Sequence, residues 1–212
     1  MANPGLRERK KEQTRAAIAD AALALFAERG FDDVTVAEVA QAADVSTATV
    51  FNYFPRKEDL LYSRFEAFEE DLLTAIRERP AGESVLDAFG RFILERSRQG
   101  ARRDLGRRVA VSARIIMNSP TLLARERQIV ARYADALAEL IAEETGAPPD
   151  DIRPRVASGA LMAVHRSLID YARRRALSRR GASTLAADLE AEGERALALL
   201  RDGLGAYAVK PR

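Results

Sequence analysis

The segment from Val45 to Pro55 is the longest stretch of the chain without an acidic or basic side chain, and its pattern is that of one short helix. Val50 and Phe54 stand four residues apart, so both can face a core. The other face carries small, hydroxyl, amide and aromatic side chains, namely Thr47, Ala48, Phe51, Asn52 and Tyr53. Small and hydrogen-bonding side chains suit contact with base edges in the major groove of DNA, and apolar atoms suit thymine methyl groups. We therefore interpret this face as a candidate DNA-contacting surface, the alternative being an ordinary packed helix.

Local signals around this segment predict a helix-turn-helix over about residues 35–54. Thr35-Val36-Ala37-Glu38 has the form of a capping box, which starts the first helix of the motif. Ser46 is suited to cap the second helix, and Pro55 ends it. Asp44 lies in the intervening turn, where Asp tolerates a left-handed conformation better than most residues.

A preceding helix is expected from about Glu8 to Arg29, ending at Gly30 with Phe31 folded back on it. Phosphate contacts would come from outside the uncharged face, from Thr35, Tyr53, Lys57 and the basic residues between Arg7 and Arg15. For each of these an ordinary role is the alternative: Thr35 as a cap alone, Lys57 as a solvated side chain, and the basic residues as a polar tail.

Composition excludes several kinds of chemistry. The chain of 212 residues has no cysteine and one histidine, His165, so thiolate nucleophiles and Cys-based or His-rich metal sites are excluded. A Ser-His-Asp triad would have to use His165. We therefore expect that the protein is not an enzyme and that it binds no cofactor and no metal.

Charge and hydropathy predict an intracellular protein. The formal net charge is only +2, which argues against a uniformly basic coat for nucleic acid. The 11 uncharged residues from Val45 to Pro55 are too few for a membrane-spanning helix, which needs about 18–20. The first 15 residues lack the apolar core of a signal peptide. We expect a cytoplasmic protein with no membrane partner.

Between about Thr14 and Leu61 the sequence resembles the TetR family of bacterial transcriptional regulators. The matching residues are Ala21-Ala22-x-x-Leu25-Phe26-x-x-x-Gly30-Phe31, Thr35-Val36-x-x-Val39-Ala40, Ala43-Asp44-Val45-Ser46 and Thr49-Val50-Phe51-Asn52-Tyr53-Phe54-Pro55-Arg56-Lys57-Glu58-Asp59-Leu60. Ordered agreement over nearly this whole stretch is far more specific than a helix-turn-helix alone.

The resemblance implies a set of DNA contacts at matching positions. These are Thr35, Ser46, Thr47, Ala48, Phe51, Asn52, Tyr53 and Lys57. Two positions depart from the family pattern. Asp44 stands where the family often has Gly, so the turn is expected to be slightly strained. Phe51 stands where the family often has Tyr, which leaves only van der Waals contact at that position, for example to a thymine methyl.

The fold is predicted to be all-α with about nine helices, since Gly and Pro are few and fall between long segments of helical period. Residues 7–60 would form the DNA-binding domain and residues 61–205 a larger helical domain for ligand sensing and dimerisation. A long fourth helix, from about Lys57 to Arg79, would join them. Residues 1–6 and 206–212 are expected to be flexible.

The larger domain offers candidates for an effector site and a dimer interface. The candidate effector-binding residues are Phe65, Phe68, Phe89, Phe92, Met117, Met162 and His165. The candidate dimer residues, chosen for small side chains at helical spacing and for the family's habit of dimerising through its last two helices, are Gly159, Ala163, Ser167, Gly193, Ala196 and Leu200. His165 as an ordinary core residue, and the small residues as packing within one chain, are the alternatives.

We therefore expect a homodimeric repressor that binds a palindromic operator on double-stranded DNA and is released by a small-molecule effector. The alternative is a helical protein that binds small molecules without binding an operator. The arginines between Arg102 and Arg108 are interpreted as a solvated face, with an anionic ligand as the other possibility.

Overall fold

A computed structural model describes residues 5–63, 67–101, 105–178, 183–204, 207 and 209. Within them the chain forms ten helices, close to the nine expected. They are α1 (Leu6–Arg29), α2 (Val36–Ala42), α3 (Thr47–Tyr53), α4 (Asp59–Tyr62), α5 (Ala67–Arg77), α6 (Val85–Ala101), α7 (Leu105–Met117), α8 (Pro120–Thr145), α9 (Arg153–Leu177) and α10 (Leu185–Leu204). The all-α prediction is confirmed.

The chain divides into two compact units. Unit 1 contains Met1–Glu66 and Arg114–Arg125, and unit 2 contains Ala67–Ala113 and Glu126–Arg212. The sequence assigned residues 114–125 to the larger domain, whereas the structure groups them with the N-terminal residues. Along the chain α7 and α8 each cross from one unit to the other.

The core of unit 1 is built by the helices of the predicted motif. Ile18, Ala22 and Phe26 of α1 are fully buried and form its apolar stripe. Gly30 ends α1 with φ +87°, a backbone conformation that favours glycine. The ring of Phe31 packs 5.1 Å from that of Phe26, as expected.

The core of unit 2 lies among α5, α6, α8, α9 and α10. Gly90 of α6 and Gly193 of α10 allow close approach, because a Cβ at Gly90 would lie 3.0 Å from Leu197 and one at Gly193 would lie 2.9 Å from Leu94. Burying a leucine of this core contributes about 1.5–3 kcal/mol.

The structure describes only part of the expected fourth helix and of the C-terminal segment. The helix predicted from Lys57 to Arg79 is represented by α4 and α5, while residues 64–66 lie outside the described part of the chain. In the segment 206–212, expected to be flexible, Tyr207 packs against the core of unit 2 and Val209 pairs with Ser84 in an isolated β-bridge. The expectation that residues 206–212 are flexible stays a prediction.

Candidate nucleic-acid interface

The turn between α2 and α3 is closed by backbone hydrogen bonds and passes through a left-handed residue. The Val45 amide donates to the Ala40 carbonyl at 3.0 Å, and the Asp44 amide donates to that of Gln41 at 3.2 Å. Asp44 has φ +53°, the only positive φ at a non-glycine residue in the described ranges. The strain expected from Asp at this position is therefore present.

Helix α3 begins and ends where the sequence indicated. The Ser46 Oγ accepts a hydrogen bond from the Thr49 amide at 3.1 Å and lies 2.8 Å from the Thr49 hydroxyl, so Ser46 is the N-cap. Phe54 follows the last helical residue, and Pro55 comes next. The guanidinium carbon of Arg15 on α1 lies 5.2 Å from the centre of the Phe54 ring, which adds a contact at this end.

The side chains of α3 divide into a buried face and an exposed face. Val50 and the capping Phe54 are each 1% exposed and pack into the core of unit 1. Phe51 is 47% exposed, a large exposed fraction for an aromatic side chain. The other exposed residues of the helix are Thr47, Ala48 and Asn52, and Tyr53 is partly exposed. The expected division of the helix is thus correct, and its exposed face carries no charge.

Thr35 forms the predicted capping box at the start of α2. Its hydroxyl accepts from the Glu38 amide at 3.2 Å, while its amide and its hydroxyl each donate to Glu38 Oε2 at 2.7 Å. Both hydrogen-bond donors of Thr35 are therefore committed to Glu38. The Thr35 hydroxyl cannot donate to a DNA phosphate, an acceptor, without leaving Glu38.

Arg29 adds two contacts to this network, and the sequence did not indicate them. Arg29 Nη1 lies 2.7 Å from Glu38 Oε1, and Nη2 donates to the Asp33 carbonyl at 2.7 Å. The Thr35 amide, followed by Arg29 and the Thr35 hydroxyl, lowers the pKa of Glu38 to about 2. The carboxylate is consequently charged at neutral pH and joins the end of α1 to the start of α2.

Lys57 makes contacts within the protein that the sequence did not predict. Its ammonium donates to the Phe31 carbonyl at 2.6 Å and lies 4.2 Å from the centre of the Phe31 ring. The ring of Phe26 is 6.0 Å away. Burial lowers the pKa of Lys57, against the opposing effect of Asp32 and other nearby carboxylates. The Lys57 side chain is therefore partly buried and bound to Phe31, unlike a freely solvated lysine.

Several of the effector-site candidates form one aromatic group in unit 2. Phe68 stacks on His165, with ring centres 4.3 Å apart, and meets Phe92 edge-on at 5.4 Å. Phe89 and Met162 are buried in the same core. Met117 belongs to unit 1 and is 48% exposed, and Phe65 lies outside the described residues.

Two further side chains, Arg96 and Tyr133, join this aromatic group. Tyr133 stacks on Phe68 with ring centres 5.5 Å apart. The Arg96 guanidinium lies 5.3 Å from the Phe68 ring and 5.4 Å from the Phe92 ring, and it donates to Asp71 at 3.1 Å. Burial, and to a smaller extent Arg96, lowers the pKa of His165 to about 4, so its imidazole is neutral at pH 7.

A surface cleft adjoins the aromatic group. It has a volume of about 420 Å³, lies between α5 and α6, and has Phe92 and Arg96 in its wall.

The expected arginine face on α7 is represented by Arg107 and Arg108, which are exposed, whereas residues 102–104 lie outside the described ranges.

The dimer candidates fall into two groups. Gly159, Ala163 and Ser167 lie on one exposed stripe of α9, and a Cβ at Gly159 would meet nothing of its own chain within 4 Å. Gly193 is instead buried against Leu94 and Leu168 of its own chain, which fits the alternative of packing within one chain at this position.

The remaining two dimer candidates, Ala196 and Leu200, are partly buried against the core of unit 2.

Within the described part of the chain, no helix combines the length and apolarity that a membrane crossing requires.

Comparison with known proteins agrees with these local features. Residues 18–63 match the model for bacterial regulatory proteins of the tetR family, and residues 82–205 match the model for the MftR C-terminal domain. The HTH-type transcriptional regulator TcmR of Streptomyces glaucescens is 34% identical over 168 residues, which cover 77% of this chain and 74% of TcmR. This relative is a regulator of transcription, which fits the expectation of a non-enzyme.

Solved structures share the fold at lower identity. The SmeT–triclosan complex superposes with a TM-score of 0.61 and 17% identity, covering 94% of this chain and 95% of SmeT. FadR of Bacillus subtilis in complex with stearoyl-CoA gives a TM-score of 0.51 and 21% identity, covering 89% of this chain and 98% of FadR. The family resemblance noted in the sequence is thus confirmed over both units. The chain belongs to the TetR family of bacterial transcriptional regulators and is a DNA-binding helix-turn-helix protein.

Proposed function

We propose that this chain is a repressor whose homodimer binds a palindromic operator and leaves it when a small molecule binds unit 2. The observation that carries the proposal is the exposed, uncharged face of α3. Thr47, Ala48, Phe51 and Asn52 are presented together on that face, on a helix held by a cap at one end and a buried Phe54 at the other.

The chemistry of this face suits the major groove. The Asn52 amide offers both a donor and an acceptor, the pair that adenine presents in complementary form. The small side chains of Thr47 and Ala48 allow close approach to base edges. Ser46 and Tyr53 flank the face and are proposed to contact the sugar-phosphate backbone, while Thr35 contributes by fixing the start of α2.

The exposed stripe of α9 supports a homodimer. Ile152 and Val156, 70% and 59% exposed, extend the stripe formed by Gly159, Ala163 and Ser167. Apolar and small side chains in a row let a second helix approach closely. A two-fold dimer through this stripe would bury the same patch on each of the two protomers. Two α3 helices would then meet half-sites about 34 Å apart.

The aromatic group of unit 2 is the proposed effector site. Apolar surface comes from Phe68, Phe89, Phe92 and Met162. The neutral imidazole of His165 provides one N–H donor and one acceptor nitrogen. The SmeT and FadR structures, solved with triclosan and stearoyl-CoA, support a small molecule with a large apolar part.

Release from DNA requires that the effector bind one conformation more tightly than the other. A difference of about 1–3 kcal/mol gives the usual strength of such coupling. The chain segment containing α4 and α5, which passes from unit 1 to unit 2, is the proposed route of the change.

A binding titration tests this function. The probe is a fluorescent duplex carrying the inverted repeat from upstream of the chain's own gene, with a scrambled duplex of equal length as control. We expect two protomers per specific duplex, an affinity that falls steeply with salt, and tighter binding than to the scrambled duplex. Equal affinity for both duplexes would support instead a small-molecule-binding protein without operator binding.

A further inference from the structure

We propose that Arg96 binds a carboxylate of the effector, in exchange for its own partner Asp71. The proposal rests on the proposed function and names the chemical class of the effector, an organic carboxylate with an apolar body. Its basis is the position of Arg96 in the wall of the cleft of about 420 Å³. The guanidinium lies there 5.3 Å from the centre of the Phe68 ring and 5.4 Å from that of Phe92.

Three arginines of α6 lie in the wall of this cleft, and Arg96 differs from the other two. Arg91 donates to Glu83 through Nε at 3.1 Å and through Nη2 at 3.0 Å. Arg98 likewise uses Nε and Nη2 on a carboxylate of α10. Within the described part of the chain Arg96 donates one hydrogen bond, from Nη1 to Asp71 at 3.1 Å. Because a guanidinium has five N–H donors, Arg96 can still bind a ligand through the others.

The contact between Arg96 and Asp71 is of a kind that a ligand can replace. Both side chains are about half-exposed, and ion pairs in such positions contribute little to stability because water screens them. A carboxylate of a ligand can accept two parallel hydrogen bonds from the guanidinium. Its apolar body would also cover Phe92, which is partly exposed in the cleft wall. The ligand therefore gains from both its charged and its apolar part.

The local charge favours a negative group over a positive one. His165 stacks on Phe68, and after burial the positive charge of Arg96 is what lowers the pKa of the imidazole to about 4. Asp71 does not offset this effect, so it leaves the charge of Arg96 effective on the side of the aromatic group. A ligand anion beside these rings would meet a positive charge.

The exchange would also act on the structure of unit 2. The hydrogen bond from Arg96 to Asp71 joins α6 to α5, and α5 belongs to the segment proposed to carry the change toward unit 1. A ligand carboxylate that takes the place of Asp71 would release α5 from this contact. The charge of the effector would thus contribute to the change and not only to affinity.

The test uses two probes of the same shape, 2-naphthoate and the uncharged 2-naphthamide, titrated into the protein by calorimetry at pH 7 without DNA. We expect wild type to bind 2-naphthoate about tenfold more tightly than 2-naphthamide, the effect of a hydrogen bond to a charged group. Arg96→Gln should reduce the affinity for 2-naphthoate to that for 2-naphthamide. Asp71→Asn should tighten 2-naphthoate by about threefold, because the competing carboxylate is gone, and leave 2-naphthamide unchanged.

A second ion pair of unit 2 provides the matched control. Arg155 and Asp135 are exposed, lie outside the cleft wall and make the same single contact at 3.1 Å. Arg155→Gln and Asp135→Asn should keep the wild-type ratio of the two affinities. Melting curves establish that each variant is folded at the temperature of the titration.

Three results would overturn the proposal. They are a wild-type protein that binds both probes equally or binds neither, an Arg96→Gln variant that keeps the tenfold ratio, and tighter binding of 2-naphthylmethylammonium than of 2-naphthoate, which would make Asp71 the group that recognises the ligand. Failure of 2-naphthoate to release the inverted-repeat duplex, despite binding that depends on Arg96, would contradict the proposed function instead. The two failures are distinguishable because the titrations contain no DNA.

Discussion

The carboxylate of Glu38 accepts two hydrogen bonds from Thr35, one from its backbone amide and one from its hydroxyl, each at 2.7 Å. The same residue pair closes the capping box, because the Glu38 amide donates back to the Thr35 hydroxyl. The start of α2 is therefore fixed by the protein itself before any DNA is bound. The main role of Thr35 is therefore structural, because it supports the helix-turn-helix motif.

Glu38 should make the stability of the protein depend on pH in the acidic range. Its pKa is about 2 in the folded protein against an ordinary value of 4.5, so the folded state favours the charged form. The stabilisation is complete above pH 4.5 and is lost as the pH falls toward 2. We expect Glu38→Gln to melt below wild type at pH 7, with a difference that shrinks on acidification.

A cap substitution provides the comparison for Glu38. Thr35→Ala should cost about 1 kcal/mol, and this cost should lower the melting temperature by about 2–4 °C. Melting curves between pH 2 and pH 7 measure both variants. A Glu38→Gln deficit that stays constant over this range would show that the charge of Glu38 contributes nothing.

The two glycines Gly159 and Gly193 should respond differently to the same substitution. A Glu at Gly193 would be buried against Leu94 and Leu168, which destabilises the protomer. A Glu at Gly159 points into open space in the protomer but would place two like charges at the proposed two-fold axis. We expect Gly193→Glu to lower the melting temperature strongly and Gly159→Glu to sediment as a folded monomer. A dimeric Gly159→Glu protein would contradict the proposed interface.

His165 should cause a second loss of stability, at higher pH than Glu38. Burial lowers its folded pKa to about 4 from 6.5, so the unfolded chain binds a proton more readily than the folded protein between these values. Stability is present above pH 6.5 and falls as the pH drops toward 4. His165→Phe keeps an aromatic ring beside Phe68 and should remove this part of the pH dependence. Chemical denaturation at several pH values measures it, and identical pH profiles would contradict the burial of a neutral His165.

The sequence predicted best those features that depend on residues close together along the chain. The Thr35 cap, the Ser46 cap, the Gly30 stop and the opposition of Val50 to Phe51 follow from spacings of three and four residues. The contacts of Lys57 with Phe31 and of Arg29 with Glu38 were missed, because they join different elements. The packing of Gly193 within its own chain was not foreseen for a related reason: a stripe of small residues does not reveal whether its partner helix belongs to the same chain.

Phe51 should recognise thymine by contact with its methyl group. The phenyl ring is 47% exposed and cannot donate or accept a hydrogen bond, and the thymine methyl is the apolar group that bases present in the major groove. Replacing the contacted thymine by uracil removes that methyl and should weaken wild-type binding by about fourfold, the value of one buried methylene.

A scan of thymine-to-uracil replacements through one half-site measures this contact. Phe51→Ala should be insensitive to the replacement that affects wild type, whereas Met117→Ala, which removes another exposed apolar side chain of unit 1, should keep wild-type sensitivity. A half-site in which no replacement distinguishes Phe51→Ala from wild type would refute the contact.

The exposed face of α3 is tested most directly by the ratio of affinities for the inverted-repeat and scrambled duplexes. The variant combines Thr47→Ala, Phe51→Ala and Asn52→Ala, all at exposed positions, and the control is Asn118→Ala, an exposed asparagine of unit 1 outside the motif. We predict that the triple variant binds both duplexes with the same affinity, close to that of wild type for the scrambled duplex, while the control keeps the wild-type ratio. A triple variant that folds and still prefers the inverted repeat as strongly as wild type would contradict the account.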